Sequence, residues 1–136
     1  MYSGRLLDHF RNPRHSGLLD PPAIVVDAEN PACGDWLRLS AIIEDGKVVR
    51  AAFQVKGCTA SIGCGSALAE WLHGKSLDEL RAGAREVVRA AIEEAVGGLP
   101  PASRHAADLC ADGVAALLAA LSASASRGPA PSDPDR

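Results

Sequence analysis

Four side chains with metal-binding chemistry stand at three junctions of the chain. Cys33 and Asp35 share the segment Ala32-Cys33-Gly34-Asp35, Cys58 closes Lys56-Gly57-Cys58, and His105 lies where a last helix should begin. Two thiolates, an imidazole and a carboxylate make a complete tetrahedral shell for zinc, with metal–sulfur distances of about 2.3 Å and metal–nitrogen distances of about 2.0 Å. The same donors suit ferrous iron or the edge of an iron–sulfur cluster. Gly34 and Gly57, next to the two cysteines, permit a positive φ or a close approach of backbone to a bound ion.

A plainer reading stands beside this one. Free cysteine is among the most buried residue types and often fills core space, a role open to each of Cys33, Cys58, Cys64 and Cys110. Cys64 and Cys110 suit it best, since both fall inside helical patterns among Ile62, Leu68, Leu109 and Val114. The cysteines are separated by 24, 5 and 45 residues. Without a C-x-x-C pair, neither a thioredoxin-like redox motif nor a zinc ribbon has its usual spacing. His9, His15 and His73 read as surface residues, with His73 before Gly74 favouring a helix C-terminus. Asp35 after Gly34 also suits a turn. On spacing alone, the reading stops at a candidate metal site.

The elements that must position these groups follow from periodicity. Leu6, Leu7 and Phe10 predict a short helix over 5–10, ended by Asn12-Pro13. Ile24–Val26, Leu37–Ile43 and Val48–Val55 predict three strands, with Asp45-Gly46 turning the chain between the last two. After Gly57 the period changes to that of a helix carrying Ile62, Leu68, Ala69, Trp71 and Leu72, closed at Gly74. Ser76-Leu77-Asp78-Glu79 is a capping box that opens a short helix to about Arg81. Val87, Val88, Ala91, Ile92 and Val96 form one stripe over 84–96, stopped by Gly97-Gly98, and a final helix is expected over about 103–122. The fold class is therefore α+β, a three-stranded, mainly antiparallel sheet packed against a C-terminal set of helices. Residues 1–121 form one domain, and the Ser/Ala/Pro/Asp composition of 122–136 predicts a disordered tail.

The whole chain bounds the function. Its 136 residues, 47% of them hydrophobic, suffice for one core and not two. A net charge of −3, with scattered positives, offers no face for phosphate backbones, so nucleic acid is excluded as a partner. No apolar run is expected to reach the roughly 18–20 residues of a membrane span, and the N-terminus has no signal-peptide core. A cytoplasmic location follows, where thiols stay reduced.

Five segments together resemble the IscU/NifU-type (SufE/NifU fold) iron–sulfur cluster assembly scaffolds: Asp8-His9-Phe10-Arg11-Asn12-Pro13-Arg14, Ala32-Cys33-Gly34-Asp35, Lys56-Gly57-Cys58, Glu70 through Glu79, and Leu99-Pro100-Pro101. They occur in that family's order and at nearly its spacing over about residues 2–121. The resemblance implies a scaffold that is not itself an enzyme. It receives iron and electrons separately, takes persulfide sulfur from a cysteine desulfurase, builds a labile [2Fe-2S] cluster and hands it to acceptor proteins. Zinc or ferrous iron can occupy the same site. Carried over by position, Cys33, Cys58 and His105 hold the cluster or metal, and Asp35 tunes its release, since oxygen holds iron less firmly than thiolate does. The resemblance also implies an Hsp70-type chaperone that grips Leu99-Pro100-Pro101, and a monomer or weak dimer.

Three departures qualify it. The family's third cysteine directly follows the histidine, but Ala106 stands there and the nearest thiol is Cys110, about 6 Å along a helix axis. Either the helix starts differently and Cys110 replaces His105 in the site, or the third thiolate is absent. The register of Leu99-Pro100-Pro101, His105, Leu109 and Asp112 favours absence. Cys64 replaces a small residue of the family, and Ser103 stands where the chaperone strip normally continues with lysine. Two other readings follow: a zinc-holding, SufU-like sulfur acceptor, which the lack of the SufU insertion disfavours, and a degenerate paralogue that binds the desulfurase without carrying a cluster.

Overall fold

The computed structural model describes residues 2–31, 34–83 and 85–126. Three strands, β1 (Ile24–Glu29), β2 (Trp36–Glu44) and β3 (Lys47–Lys56), form a sheet in chain order. Both pairings are antiparallel, β1 on β2 from Ile24↔Ala41 to Glu29↔Trp36 and β2 on β3 from Trp36↔Lys56 to Glu44↔Lys47. The expected turn is present, with both Asp45 (φ 52) and Gly46 (φ 74) left-handed as a two-residue hairpin requires. Alternation fixes which face is buried: Leu37, Leu39, Ala41, Val48, Ala51 and Phe53 all point into the core.

Among the described residues there are also five helices, α1 (Gly4–Arg11), α2 (Thr59–Leu72), α3 (Leu77–Ala82), α4 (Arg85–Ala95) and α5 (His105–Ser126), the last preceded by a 3₁₀ turn at Pro101–Ser103. α2 lies between β3, α1 and α5, and is buried on nearly all sides from Ala60 to Ala69. A helix so enclosed reads as apolar without a stripe. Gly63 lets α1 settle against it, since a Cβ there would stand 2.5 Å from Cδ1 of Leu6. The predicted capping box is formed: Glu79 N donates to Ser76 Oγ and Ser76 N donates to Glu79 Oε1, both at 3.0 Å.

Four expectations need correction. Val87 is 52% exposed, because the buried stripe of α4 is the narrower Val88, Ile92 row, continued by Val96 just past the helix end. His9 is buried rather than superficial, its Nδ1 2.8 Å from Ser66 Oγ. α5 runs to Ser126, past the expected boundary at 122, because alanine and serine prolong a helix whose earlier turns are already docked. Finally, residues 101–123 are long and apolar enough to cross a bilayer by length and composition. In this fold that helix packs on β1, β2, α2 and α4, and its Asp108 and Asp112 pair with Arg89 and Arg85 of α4.

Candidate metal centre

Strand register brings the site together. Because Trp36 pairs with Lys56, Asp35 just before β2 is brought beside Gly57 and Cys58 just after β3. Backbone hydrogen bonds from Gly34 N to Asn30 O (2.7 Å) and from Asn30 N to Asp35 O (2.8 Å) tie Gly34 and Asp35 to Asn30. Cys58 is the N-cap of α2, and His105 is the first residue of α5. Both helices thus aim the partial positive charge of their first turns at one spot, where anionic ligands are favoured.

One donor atom from each of Asp35, Cys58 and His105 lies within 4.8 Å of the other two, the one such group of three among the described residues. Asp35 Oδ2 is 3.5 Å from Cys58 Sγ and 3.4 Å from His105 Nε2, and Cys58 Sγ is 3.8 Å from His105 Nε2. The Asp35 side chain is 10% exposed and that of His105 28%, so the cluster opens to solvent on the histidine side. His105 Nδ1 lies 3.2 Å from the carbonyl of Ala102. A carbonyl only accepts, so Nδ1 can donate there while Nε2 is turned toward Asp35 and Cys58, the orientation a metal-binding histidine needs.

Cys33, the second thiol assigned to this site by sequence, lies outside the described residues. Cys110 is not among the grouped donors. Buried at 2% exposure in α5, its thiol is pushed well above the ordinary range, first by burial and then by the neighbouring Cys64. His105, and not Cys110, stands beside Asp35 and Cys58 in this structure. Ala106 is fully buried in the core. Cys64 is likewise fully buried and pushed up to about 12, mainly by burial and further by Cys58 and Glu93. These two thiols are core residues, so brief alkylation of the folded protein should modify Cys58 and spare Cys64 and Cys110 until denaturant is added. Peptide mapping by mass spectrometry checks this; fast labelling of either buried cysteine would contradict it.

Sequence reasoning missed Ser61. Its hydroxyl donates a short hydrogen bond to Asp35 Oδ2 and lies 3.4 Å from Cys58 Sγ. The available signal was its position three residues after Cys58 on a helix, which places both side chains on one face. Gly57 serves by close approach rather than by positive φ. A Cβ there would meet Asp35 Cγ at 2.7 Å and both carboxylate oxygens at 2.9 Å.

A small α+β domain here gathers thiol, carboxylate and imidazole at one end of its sheet, a donor set that could hold a metal ion. The chain belongs to the NifU-like N-terminal domain family, whose model matches residues 1–127. It is 37% identical over 112 residues to the iron–sulfur cluster assembly scaffold protein IscU 1 of Archaeoglobus fulgidus, covering 82% of this chain and 71% of that one. It is 34% identical over 122 residues to the IscU scaffold of Escherichia coli, covering 87% and 91%. Among solved structures it resembles the N-terminal NifU-like protein of Brucella abortus, with a TM-score of 0.65, 25% identity and coverage of 88% and 91%.

Proposed function

We propose that this chain is a scaffold for iron–sulfur cluster assembly, on which Cys33, Asp35, Cys58 and His105 hold a labile [2Fe-2S] cluster before its transfer to acceptor proteins. The observation that supports this best is the convergence of Asp35, Cys58 and His105 donor atoms within 4.8 Å at the mouth of two helices. Thiolate sulfur grips iron, while the harder carboxylate oxygen grips it less well, so the mixed set suits cargo that must leave. Iron and sulfur are substrates of the assembly: sulfur arrives as persulfide from a cysteine desulfurase, and a separate electron donor supplies the two electrons that reduce each such sulfur to the sulfide of the cluster. With Ala106 at the position of the family's third cysteine, Cys58 is the accessible thiol among the described residues that can receive it. The same donors make a zinc shell, and zinc is the alternative occupant. Carrying cargo in this way is a binding function and not turnover.

Anaerobic reconstitution with ferrous iron, cysteine and a desulfurase tests this. The native protein should gain cluster absorbance with matching iron and sulfide, and Cys110→Ser should load equally well. If only Ala106→Cys loads, the chain is a degenerate paralogue whose role lies in binding the desulfurase.

A further inference from the structure

Ser61 is 1% exposed in the first turn of α2, and its hydroxyl lies between two of the residues assigned to the metal site. A hydroxyl carries a single proton to donate. Its geometry directs that proton to Asp35 Oδ2, the same oxygen that faces Cys58 Sγ at 3.5 Å and His105 Nε2 at 3.4 Å. We infer that Ser61 is a positioning residue of the metal centre, holding the ligating oxygen of Asp35 at the point where Cys58 and His105 converge and so slowing the departure of bound metal.

The physical reason is the cost of disorder in a carboxylate ligand. A free aspartate turns about χ1 and χ2, and each bond it forms with metal must first stop that rotation. Ser61 supplies the constraint in advance from a helix turn that the core already fixes, since Ala60, Gly63 and Cys64 around it are buried. Hydrogen bonding of a ligating carboxylate by its neighbours commonly sets affinity in this way, and losing such a partner costs about 10–100-fold. Cys58 lies at the N-cap of the same helix, so Ser61 couples the position of the carboxylate to that of the thiolate. The role is distinct from ligation: Ser61 acts through Asp35 and should contribute nothing once that carboxylate is gone.

This inference rests on the metal-site reading, and the test separates the two. Zinc dissociation constants would be measured by chelator competition for the native protein, Ser61→Ala, Asp35→Ala and the double variant, with the visible and thiolate charge-transfer bands of bound cobalt(II) recorded alongside. Ser61→Ala should bind zinc about 10–100-fold more weakly and release it faster. The double variant should match Asp35→Ala within about threefold, because coupled residues fail to add. Additive losses, or a Ser61→Ala protein with native affinity and native cobalt bands, would overturn the role of Ser61 while leaving the site intact. A native protein that binds neither ion through thiolate would sink the metal-site reading, and this inference with it.

Discussion

Cys58→Ser should lose the metal and gain stability. Serine offers a hard, protonated hydroxyl in place of a thiolate, so zinc affinity should fall by more than the roughly 10–100-fold that an outer-shell partner costs, and no cluster absorbance should develop on reconstitution. The stability effect runs the other way. Cys58 is the N-cap of α2 in extended conformation (φ −82, ψ 173) but makes no side-chain capping bond. Serine is among the best N-cap residues, and its oxygen can accept from an amide in the first turn, a bond worth about 1 kcal/mol. The metal-free variant should therefore melt a few degrees above the metal-free native protein. A thermal melt in chelator and a zinc competition assay read the two effects separately. If the variant melts lower, the capping account fails; if it binds zinc as tightly as the native protein, Cys58 is not a ligand. Cysteine at this N-cap is thus a place where a local folding preference yields to the chemistry of the site.

Most of the frame could be read from the chain because its signals are local. Asp45-Gly46 names its own turn, Ser76 and Glu79 name their own cap, and alternation in β2 and β3 names the buried face. The errors arose where packing partners decide. Val87 fits the helical stripe of α4 as well as Val88 does, and only the direction from which α5 approaches exposes one and buries the other. His9 looks like a surface residue until α2 presents Ser66 to its ring. Asp35, Cys58 and His105 stood out by residue type and by family resemblance, whereas Ser61 did not. A serine inside a helix carries no signal by itself, and its contact with Asp35 exists only because the Trp36↔Lys56 register and the docking of α2 bring 26 residues of separation to hydrogen-bond distance. The resemblance also left open whether Cys110 could serve the site, and spacing alone did not reveal that this thiol is buried in the core.

Gly57→Ala should disturb both folding and binding through a single methyl group. The backbone of Gly57 is not left-handed, so alanine meets no conformational penalty there and would by itself stabilise by about 0.4–1 kcal/mol through the unfolded chain. The obstacle is space. A Cβ on residue 57 would lie 2.7 Å from Asp35 Cγ, well inside contact distance, and Asp35 is 7% exposed with Ser61 and His105 on its other sides. The carboxylate must turn out of the site or β2 and β3 must part at their ends. Overpacking of this kind costs about 1–3 kcal/mol. Zinc affinity should drop with it, since either movement withdraws a donor from Cys58 and His105. The distinguishing measurement is the cycle with Asp35→Ala. Removing the carboxylate removes the clash, so Gly57→Ala should cost little or nothing in that background, giving a coupling of about 0.5–3 kcal/mol between the two positions. Equal destabilisation in both backgrounds would mean that Gly57 serves the backbone of the Lys56-Gly57-Cys58 turn and not the seat of Asp35. The expected coupling instead makes the glycine part of the metal centre, as the residue whose missing side chain leaves room for the ligand beside it.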